Sequence, residues 1–276
     1  MKCLTPDESE KGVTMKLCWL GLLIGLLHSG VATTAACAAD WGTLKGRFVL
    51  DGPLPDQSKL QINKDVEFCG KHEPRSEKLV VHGEDRGIAN VVIWLDVKTG
   101  DKVAIHPSFE EAATAKVKLA NKGCRFDPHI CVVRTGQTLV IENPDQVDHN
   151  TAAGLDKNDP FNALTPAGKS SDRPRFKLAE RLPAQVQCSI HPWMTGWLVV
   201  KEHPYVAVTD EHGRFELKHL PAGEHTCVVW HELPGYVQAV TRGDKAEEWK
   251  RGKVTIRVSV GETNFGEVRL TADALK

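Results

Sequence analysis

Short apolar runs separated by turn-forming residues occupy most of the chain, and helical periodicity is scarce. Valine, isoleucine, threonine and aromatic residues fill the runs, while glycine, proline, asparagine and aspartate separate them, which is typical of short β-strands. The runs lie at 42–50, 89–97, 116–120, 129–136, 137–143, 195–202, 205–210, 213–220, 225–232 and 253–260. Segments 107–115 and 243–250 are predicted to hold helical turns. The pattern predicts an all-β chain built of β-sandwiches.

One segment interrupts this pattern. Residues 151–175 are polar, carry prolines and turn residues, and show no strand-like run. A connection of this length inside a compact domain is usually functional or mobile. We therefore expect a long loop here.

The N-terminus has the features of an export signal. Met15 and Lys16 precede the apolar run 17–27, and small residues follow it, so 1–39 is predicted to be a signal peptide with translation starting at Met15. Cys37 offers an alternative lipid anchor, although Thr34 stands where such sites usually have leucine. No later apolar segment is long enough to cross a membrane. The mature protein is expected in the periplasm or outside the cell.

Composition indicates the number of cores and excludes one class of function. The chain has 276 residues, of which 41% are hydrophobic, enough for one large core or two modest ones. Its 35 basic and 36 acidic residues give a net charge of −1, which is not the electrostatic footprint of a nucleic-acid-binding protein.

The cysteines beyond the signal peptide are odd in number. They are Cys69, Cys124, Cys131, Cys188 and Cys227. In an oxidising compartment an even set pairs, and the unpaired thiol needs a reason. Cys69 and Cys124 each adjoin a glycine in a predicted loop and form the best candidate disulfide. Cys131 and Cys227 are either buried free thiols or a second bridge, which leaves Cys188 as the candidate functional thiol.

Cys188 lies in a cluster of metal-ligand side chains. His191 and Met194 follow it within one loop, and the strand at 137–142 runs through an Asn-Pro-Asp turn to His149. Two imidazoles and one thiolate with a weak axial thioether suit copper in electron transfer. Zinc also takes cysteine and histidine, but it favours closed Cys/His sets and rarely uses methionine.

Residues 117–202 resemble a cupredoxin, a type 1 (blue) copper domain. The spacing Cys-x-x-His-x-x-Met before "TGWLVV" is similar to the amicyanin loop, and "FDPHICVVRTGQTLVIENPDQVDHN" resembles the strand pair that leads to the first histidine ligand. The resemblance implies one copper ion with His149, Cys188 and His191 as equatorial ligands and Met194 as the axial ligand. It also implies a hydrogen bond between the side chains of Asn150, which follows His149, and Ser189, which follows Cys188.

Other histidines and tryptophans receive weaker interpretations. His129 is expected to be a surface or structural residue, and His72 and His231 are weak candidates for a second site. Trp197 is expected to pack in a core. Trp193, inside the ligand loop, is a candidate contact for a partner protein.

The two ends of the chain resemble the halves of a transthyretin-like (prealbumin-like), or carboxypeptidase regulatory-like, sandwich. "GTLKGRFVLDGPLPDQSKL" opens like one, and "VAVTDEHGRFELKHLPAGEHTCVVWHELPGY" closes like one. We expect one sandwich from 41–105 with 203–270, interrupted by a cupredoxin Greek-key sandwich at 106–202. A tandem arrangement is the alternative, but 41–105 alone would form only a marginal core.

These features predict an exported electron carrier rather than an enzyme. The resemblance to amicyanin implies transient redox partners of the dehydrogenase or cytochrome type, with the His191 imidazole as the exit for electrons. The alternative is a non-redox envelope protein for binding or interaction, in which the cupredoxin domain is structural or stores copper.

Overall fold

The computed structural model describes residues 40–98, 100–173 and 175–276, and these are almost entirely β-structure, which confirms the all-β prediction. The strands are β1 (Trp41–Asp51), β2 (Val92–Leu95), β3 (Lys116–Asn121), β4 (Phe126–Asp127), β5 (Ile130–Arg134), β6 (Thr138–Glu142), β7 (His149–Ala153), β8 (Phe161–Thr165), β9 (Ser170–Asp172), β10 (Ala184–Gln187), β11 (Thr195–Lys201), β12 (Val206–Val208), β13 (Arg214–Pro221), β14 (Gly223–His231), β15 (Gly235–Tyr236), β16 (Ala239–Arg242), β17 (Lys245–Glu248), β18 (Lys253–Val258) and β19 (Gly261–Thr271). The helical turns are α1 (Val66–Cys69) and 3-10 turns at Gly70–His72, Pro107–Phe109, Glu111–Thr114, Lys250–Gly252 and Asp273–Leu275.

Strands from both ends of the described chain form one sandwich, which we call the flanking sandwich. One sheet has the order β13-β1-β19-β16-β17, and the other has the order β12-β2-β14-β15 with β18 also paired to β14. β1 pairs antiparallel with β13 and parallel with β19, so the first strand is held by two of the last. Leu44, Phe48 and Leu50 of β1 are buried in the core between the sheets.

The strands between these ends form a second sandwich, which we call the inner sandwich. Its sheets have the orders β5-β11-β10-β7-β8 and β4-β3-β6-β9. Two of its pairs, β5 with β11 and β3 with β6, are parallel, so the chain crosses between the sheets rather than running as simple hairpins. Leu119, Ile141 and Leu198 are fully buried between the sheets.

The two sandwiches pack against each other through apolar side chains. Trp94 and Trp230 of the flanking sandwich share a buried cluster with Ile130 and Val199 of the inner one. Trp197 packs edge-on against Trp230, with ring centroids 4.9 Å apart. Residues on the outer faces of β5 and β11 are therefore apolar because a second sheet covers them.

Residues 60–78, which we call the cover segment, follow β1 in sequence but pack on the inner sandwich. Ile62 and Phe68 lie against its core, and Cys69 is fully buried there in a disulfide with Cys124. This segment thus contributes to the core that surrounds the ligand loop. The domain boundaries at 105 and 203 stay a prediction.

Two expectations about local structure are wrong. Residues 151–175 are not a strand-free loop, since they contain the end of β7 and all of β8 and β9. These strands are short, and the buried positions of β8 are Ala163 and Thr165 while Leu164 is exposed, so their apolar signal is weak. Residues 243–250 hold β17 rather than a helical turn, because charged residues on an exposed edge strand lack a strand-like pattern. The turns expected at 107–115 are present.

The predicted signal peptide and Cys37 lie outside the described residues. Within the described part of the chain, no helix has the length and apolar character needed to cross a membrane.

Candidate metal centre

A polar turn positions His149 at the start of β7. Asn143, almost completely buried, donates from its side-chain amide to the carbonyls of Val147 and Thr165 at 2.9 and 2.8 Å. Its Oδ1 accepts from the Asp145 backbone N–H at 3.1 Å. The turn between β6 and β7 is therefore tied to itself and to β8, which orients His149 on a rigid sheet.

The loop between β10 and β11 brings the other candidate ligands to the same end of the sandwich. The Met194 N–H donates to the His191 carbonyl at 2.9 Å, and the Cys188 N–H donates to the Met194 carbonyl at 3.2 Å. Both bonds close the seven-residue loop on itself. Cys188 and Met194 are each 1% exposed, and His191 is fully buried.

Asn150 connects the two ligand-bearing segments. Its Oδ1 accepts from the Ser189 and Ile190 N–H groups at 2.7 and 3.2 Å, and its Nδ2 donates to Ser189 Oγ at 3.3 Å. Its own backbone N–H donates to Cys188 Sγ at 3.4 Å. The contact between Asn150 and Ser189 therefore exists, with most of the bonding directed to the loop backbone.

Three candidate ligand atoms converge. His149 Nδ1 and His191 Nδ1 are 2.9 Å apart, and Cys188 Sγ lies 3.8 Å from His191 Nδ1. All three atoms lie within 4.8 Å of one another, and all three residues are buried. Met194 is buried in the same loop.

A carboxylate holds the outer nitrogen of each imidazole. His149 Nε2–H donates to Asp145 Oδ2 at 2.9 Å, and His191 Nε2–H donates to Asp65 Oδ2 at 2.8 Å. A neutral imidazole has one N–H and one bare nitrogen. With both N–H groups at Nε2, two bare Nδ1 atoms face each other beside a thiol, which is repulsive unless a cation lies between them. The arrangement fits a metal ion bound by imidazole and thiolate, with each outer nitrogen oriented by an acceptor.

The electrostatics of the pocket favour ionised ligands. Burial raises the pKa of the Cys188 thiol, but the adjacent His149 imidazole and the backbone N–H groups of the loop and of Asn150 outweigh it and hold that pKa below its ordinary value. The pKa of Asp145 is also below its ordinary value. Burial raises this pKa, but hydrogen bonds from His149 and from the Cys124 and Gly123 N–H groups have the larger effect. A thiolate is the form of cysteine that binds metal.

The cover segment closes the site. Asp65 precedes α1 with a φ of 47°, in the left-handed region, and reaches His191 from a position 35% exposed. The disulfide at the end of α1 joins this segment to Cys124, whose N–H donates to Asp145 at 2.9 Å. His191, the exit for electrons expected from the sequence, therefore has no exposed surface, because the cover segment lies on its outer nitrogen.

The remaining histidines lie apart from the three converging ligand atoms. His129 is buried and pairs with Glu232 through its Nε2 at 2.5 Å, so it has the structural character that was expected. His231 is fully buried with no partner for its Nε2 among the described residues. His72 is exposed and packs on Phe68.

The two tryptophans near the loop differ in their surroundings. Trp193 is partly buried, its ring centroid is 5.1 Å from that of His191, and its indole N–H donates to the Cys124 carbonyl at 3.2 Å. Trp197 lies between the sandwiches, where its N–H donates to Glu232 at 3.1 Å. It packs in an interface rather than in a single core.

The cysteines divide as follows. Cys69 and Cys124 form the disulfide expected from the sequence. Cys131 and Cys227 are buried free thiols, and burial raises the pKa of each to about 12. They are therefore inert, in contrast to Cys188.

Sequence reasoning missed both carboxylates. Asp145 carries a local signal, because it lies in the Asn-Pro-Asp turn, four residues before His149. Asp65 carries no local signal, since its segment meets the loop only through tertiary packing.

Comparisons with known proteins give partial structural similarity. No model of a known protein family matches the chain, and no curated protein matches its sequence. A novel purple cupredoxin from Nitrosopumilus maritimus is 21% identical, over 31% of this chain and 98% of that chain, with a TM-score of 0.26. A mutant of amicyanin in the Cu(I) form is 20% identical, over 36% of this chain and 99% of that chain, with a TM-score of 0.28.

A copper-containing nitrite reductase from Thermus scotoductus SA-01 is 23% identical, over 38% of this chain, with a TM-score of 0.28. This chain covers 24% of the reductase chain. All three TM-scores are low, so these similarities carry no functional conclusion.

Proposed function

We propose that this chain is an exported protein that carries single electrons through one type 1 copper ion bound in the inner sandwich. The observation that carries the proposal is the buried convergence of His149 Nδ1, His191 Nδ1 and Cys188 Sγ within 4.8 Å. These residues would be the equatorial ligands, and Met194 of the same loop would be the axial ligand. When bound, copper supplies one-electron chemistry between Cu(I) and Cu(II).

The choice of copper over zinc follows from the donor set. Two imidazoles and one thiolate with a thioether in the same loop match copper electron-transfer sites, whereas structural zinc prefers four cysteine and histidine ligands. The chain's own residues then keep the ligands in place. Asn150 and Ser189 hold the two segments together, and Asp145 and Asp65 hold the imidazole orientations, so the ligands would move little when the charge of the site changes.

The remainder of the proposal concerns cell location and partners. Export is supported by the Cys69–Cys124 disulfide, since such bonds persist in oxidising compartments. We interpret the flanking sandwich as transthyretin-like and interrupted by the inner one at 106–202. Its role would be structural or in interaction, and catalysis is not part of the proposal. The partners would be transient redox proteins of the dehydrogenase or cytochrome type.

One observation favours the alternative of copper storage. The candidate ligands are completely or almost completely buried, and Asp65 covers the outer nitrogen of His191. A storage site would hold copper without exchanging electrons readily. Electron-exchange kinetics separate the two functions.

The test is the visible spectrum of the purified protein after addition of Cu(II). We expect an intense thiolate-to-copper band that a reductant bleaches and an oxidant restores, and that Cys188→Ser abolishes. Cys131→Ser is the matched control, because Cys131 is an equally buried free thiol of the inner sandwich. A colourless protein, or copper binding that survives Cys188→Ser, would refute the copper proposal; a band that reductant and oxidant change only slowly would favour storage.

A further inference from the structure

The covered state of His191 raises the question of where an electron would leave the site. Electron transfer slows steeply with distance, so a partner must approach a group that is both close to the ligands and accessible. His191 has no exposed surface, and Asp65 lies on its outer nitrogen. The Trp193 ring is the aromatic neighbour of His191 that reaches the surface, with centroids 5.1 Å apart.

Trp193 lines a pocket beside the ligand loop. The pocket has a volume of about 190 Å³, and its walls are Pro192 to Thr195 on one side and residues of the cover segment on the other. Met194, the candidate axial ligand, also lines the pocket, so the pocket lies directly beside the candidate metal centre. The disulfide and the Trp193 hydrogen bond to the Cys124 carbonyl hold its two walls together.

The charges around this pocket are mainly positive. Arg75, Lys78 and Arg125 line it, against a single carboxylate from Glu77. Glu77 is half-buried and pairs with Arg125 at 3.3 Å, whereas Arg75 and Lys78 are exposed. A tryptophan beside arginines is a combination enriched at the centres of protein interfaces. The chain as a whole has a net charge of −1, so this cationic cluster is a local feature rather than the general character of the surface.

We propose that the pocket around Trp193, Arg75 and Lys78 is the docking site for a redox protein that presents an acidic patch, and that electrons pass through Trp193. The inference rests on the proposed electron-transfer function. Complementary charge speeds encounter between two proteins and is screened by salt. A small interface suffices, since redox encounters are brief and bury little area.

The test compares two c-type cytochromes, one with an acidic and one with a basic surface, as electron acceptors of the reduced copper protein in stopped-flow experiments. We expect the acidic cytochrome to react at least tenfold faster at low ionic strength, and this advantage to shrink in salt. Arg75→Glu with Lys78→Glu should lower its rate constant at least tenfold. The matched control, Lys245→Glu with Lys250→Glu, makes the same charge change at exposed lysines of the flanking sandwich. It should change the rate constant with the acidic cytochrome less than twofold.

A second pair of variants tests the route through Trp193. Trp193→Leu should slow reaction with the cytochrome severalfold while the reduction potential stays unchanged, and Trp193→Phe should restore most of the rate. Equal rates with both cytochromes, or an unaffected double charge reversal, would overturn the docking site. A rate unchanged in Trp193→Leu would overturn the electron route.

A readout without copper separates this inference from the proposed function. In the metal-free protein, the NMR signal of the Trp193 indole N–H should shift when the acidic cytochrome is added and stay in place with the basic one. A shift in a protein that never turns blue would keep the docking site and refute the copper function. A shift with inorganic phosphate but none with the cytochrome would make the pocket a small-anion site and overturn the docking proposal.

Discussion

Asp65 Oδ2 accepts a hydrogen bond from His191 Nε2 at 2.8 Å, and this contact closes the candidate metal centre with a residue from a distant part of the chain. Asp145 makes the matching contact to His149 at 2.9 Å. The disulfide joins the two carboxylates, since one of its cysteines ends the helical turn after Asp65 and the other donates its N–H to Asp145. The site is thus held from both sides by one connected set of contacts.

The first prediction concerns the carboxylate of Asp65. Asp65→Asn removes a negative charge from the outer nitrogen of His191, which disfavours Cu(II) relative to Cu(I). We expect the affinity for Cu(I) relative to that for Cu(II) to rise about tenfold. For a one-electron couple this equals a rise of about 59 mV in reduction potential. Protein-film voltammetry measures this. Glu67→Gln, in the same segment but exposed, is the control, and an equal shift in both variants would argue for a general charge effect.

The second prediction concerns the contacts of Asn150. Asn150→Ala leaves the Ser189 and Ile190 N–H groups without their side-chain acceptor and removes the bond between the two ligand-bearing segments; because Ser189 is exposed and Ile190 half-buried, water replaces part of the loss, and the cost is about 1 kcal/mol per hydrogen bond. We expect a lower melting temperature and weaker copper binding, measured by calorimetry and by competition with a chelator. Asn162→Ala removes only the contact on the far side of Asn150 and should have a small effect. Equal losses in the two variants would contradict a specific role for the loop contacts.

The third prediction concerns the disulfide. The bridge joins residues 55 positions apart, and a loop of that size corresponds to about 4 kcal/mol of stabilisation in the chain-entropy description. Cys69→Ala with Cys124→Ala should lower the free energy of unfolding by several kcal/mol and speed hydrogen exchange in the cover segment. Chemical denaturation and exchange mass spectrometry measure the two effects. Unchanged exchange at residues 60–78 would show that packing alone holds the cover.

The fourth prediction concerns acid stability. Burial lowers the pKa of His231 to about 4, below the ordinary value of 6.5. The folded state therefore binds its proton less readily than the unfolded state, so stability is complete above about pH 6.5 and falls as the pH decreases toward 4, by about 3 kcal/mol in full.

The test of this acid effect is a comparison of denaturation curves at pH 7.5 and 4.5. His231→Phe removes the titrating group and should reduce the loss of stability over this range, whereas His72→Phe, at an exposed position, should leave it unchanged. An identical pH dependence in all three proteins would show that other groups control acid unfolding.

The sequence predicts some strands far better than others. Runs such as those of β1 and β11 are predicted within a few residues, because burial on both faces or regular alternation leaves a strong apolar pattern. β8 is missed because its buried positions are Ala163 and Thr165 while Leu164 is exposed, and β9 is missed because it has three polar residues and no apolar one. β19 is missed because an irregularity in its register beside Phe265 places Val268 three positions further on, which breaks the alternation of period two.

The sequence by itself determined the candidate ligands. Cys188, His191 and Met194 lie in one loop, and His149 with Asn150 ends a recognisable strand and turn, so local chemistry was sufficient to name them. Only the tertiary structure decided what surrounds them. The cover segment reaches His191 by packing Ile62 and Phe68 on the inner core and through the bridge to Cys124, contacts between positions that no local pattern relates. The site is buried because of that long-range packing. For the same reason the partly exposed residue next to the ligands is Trp193 and not His191.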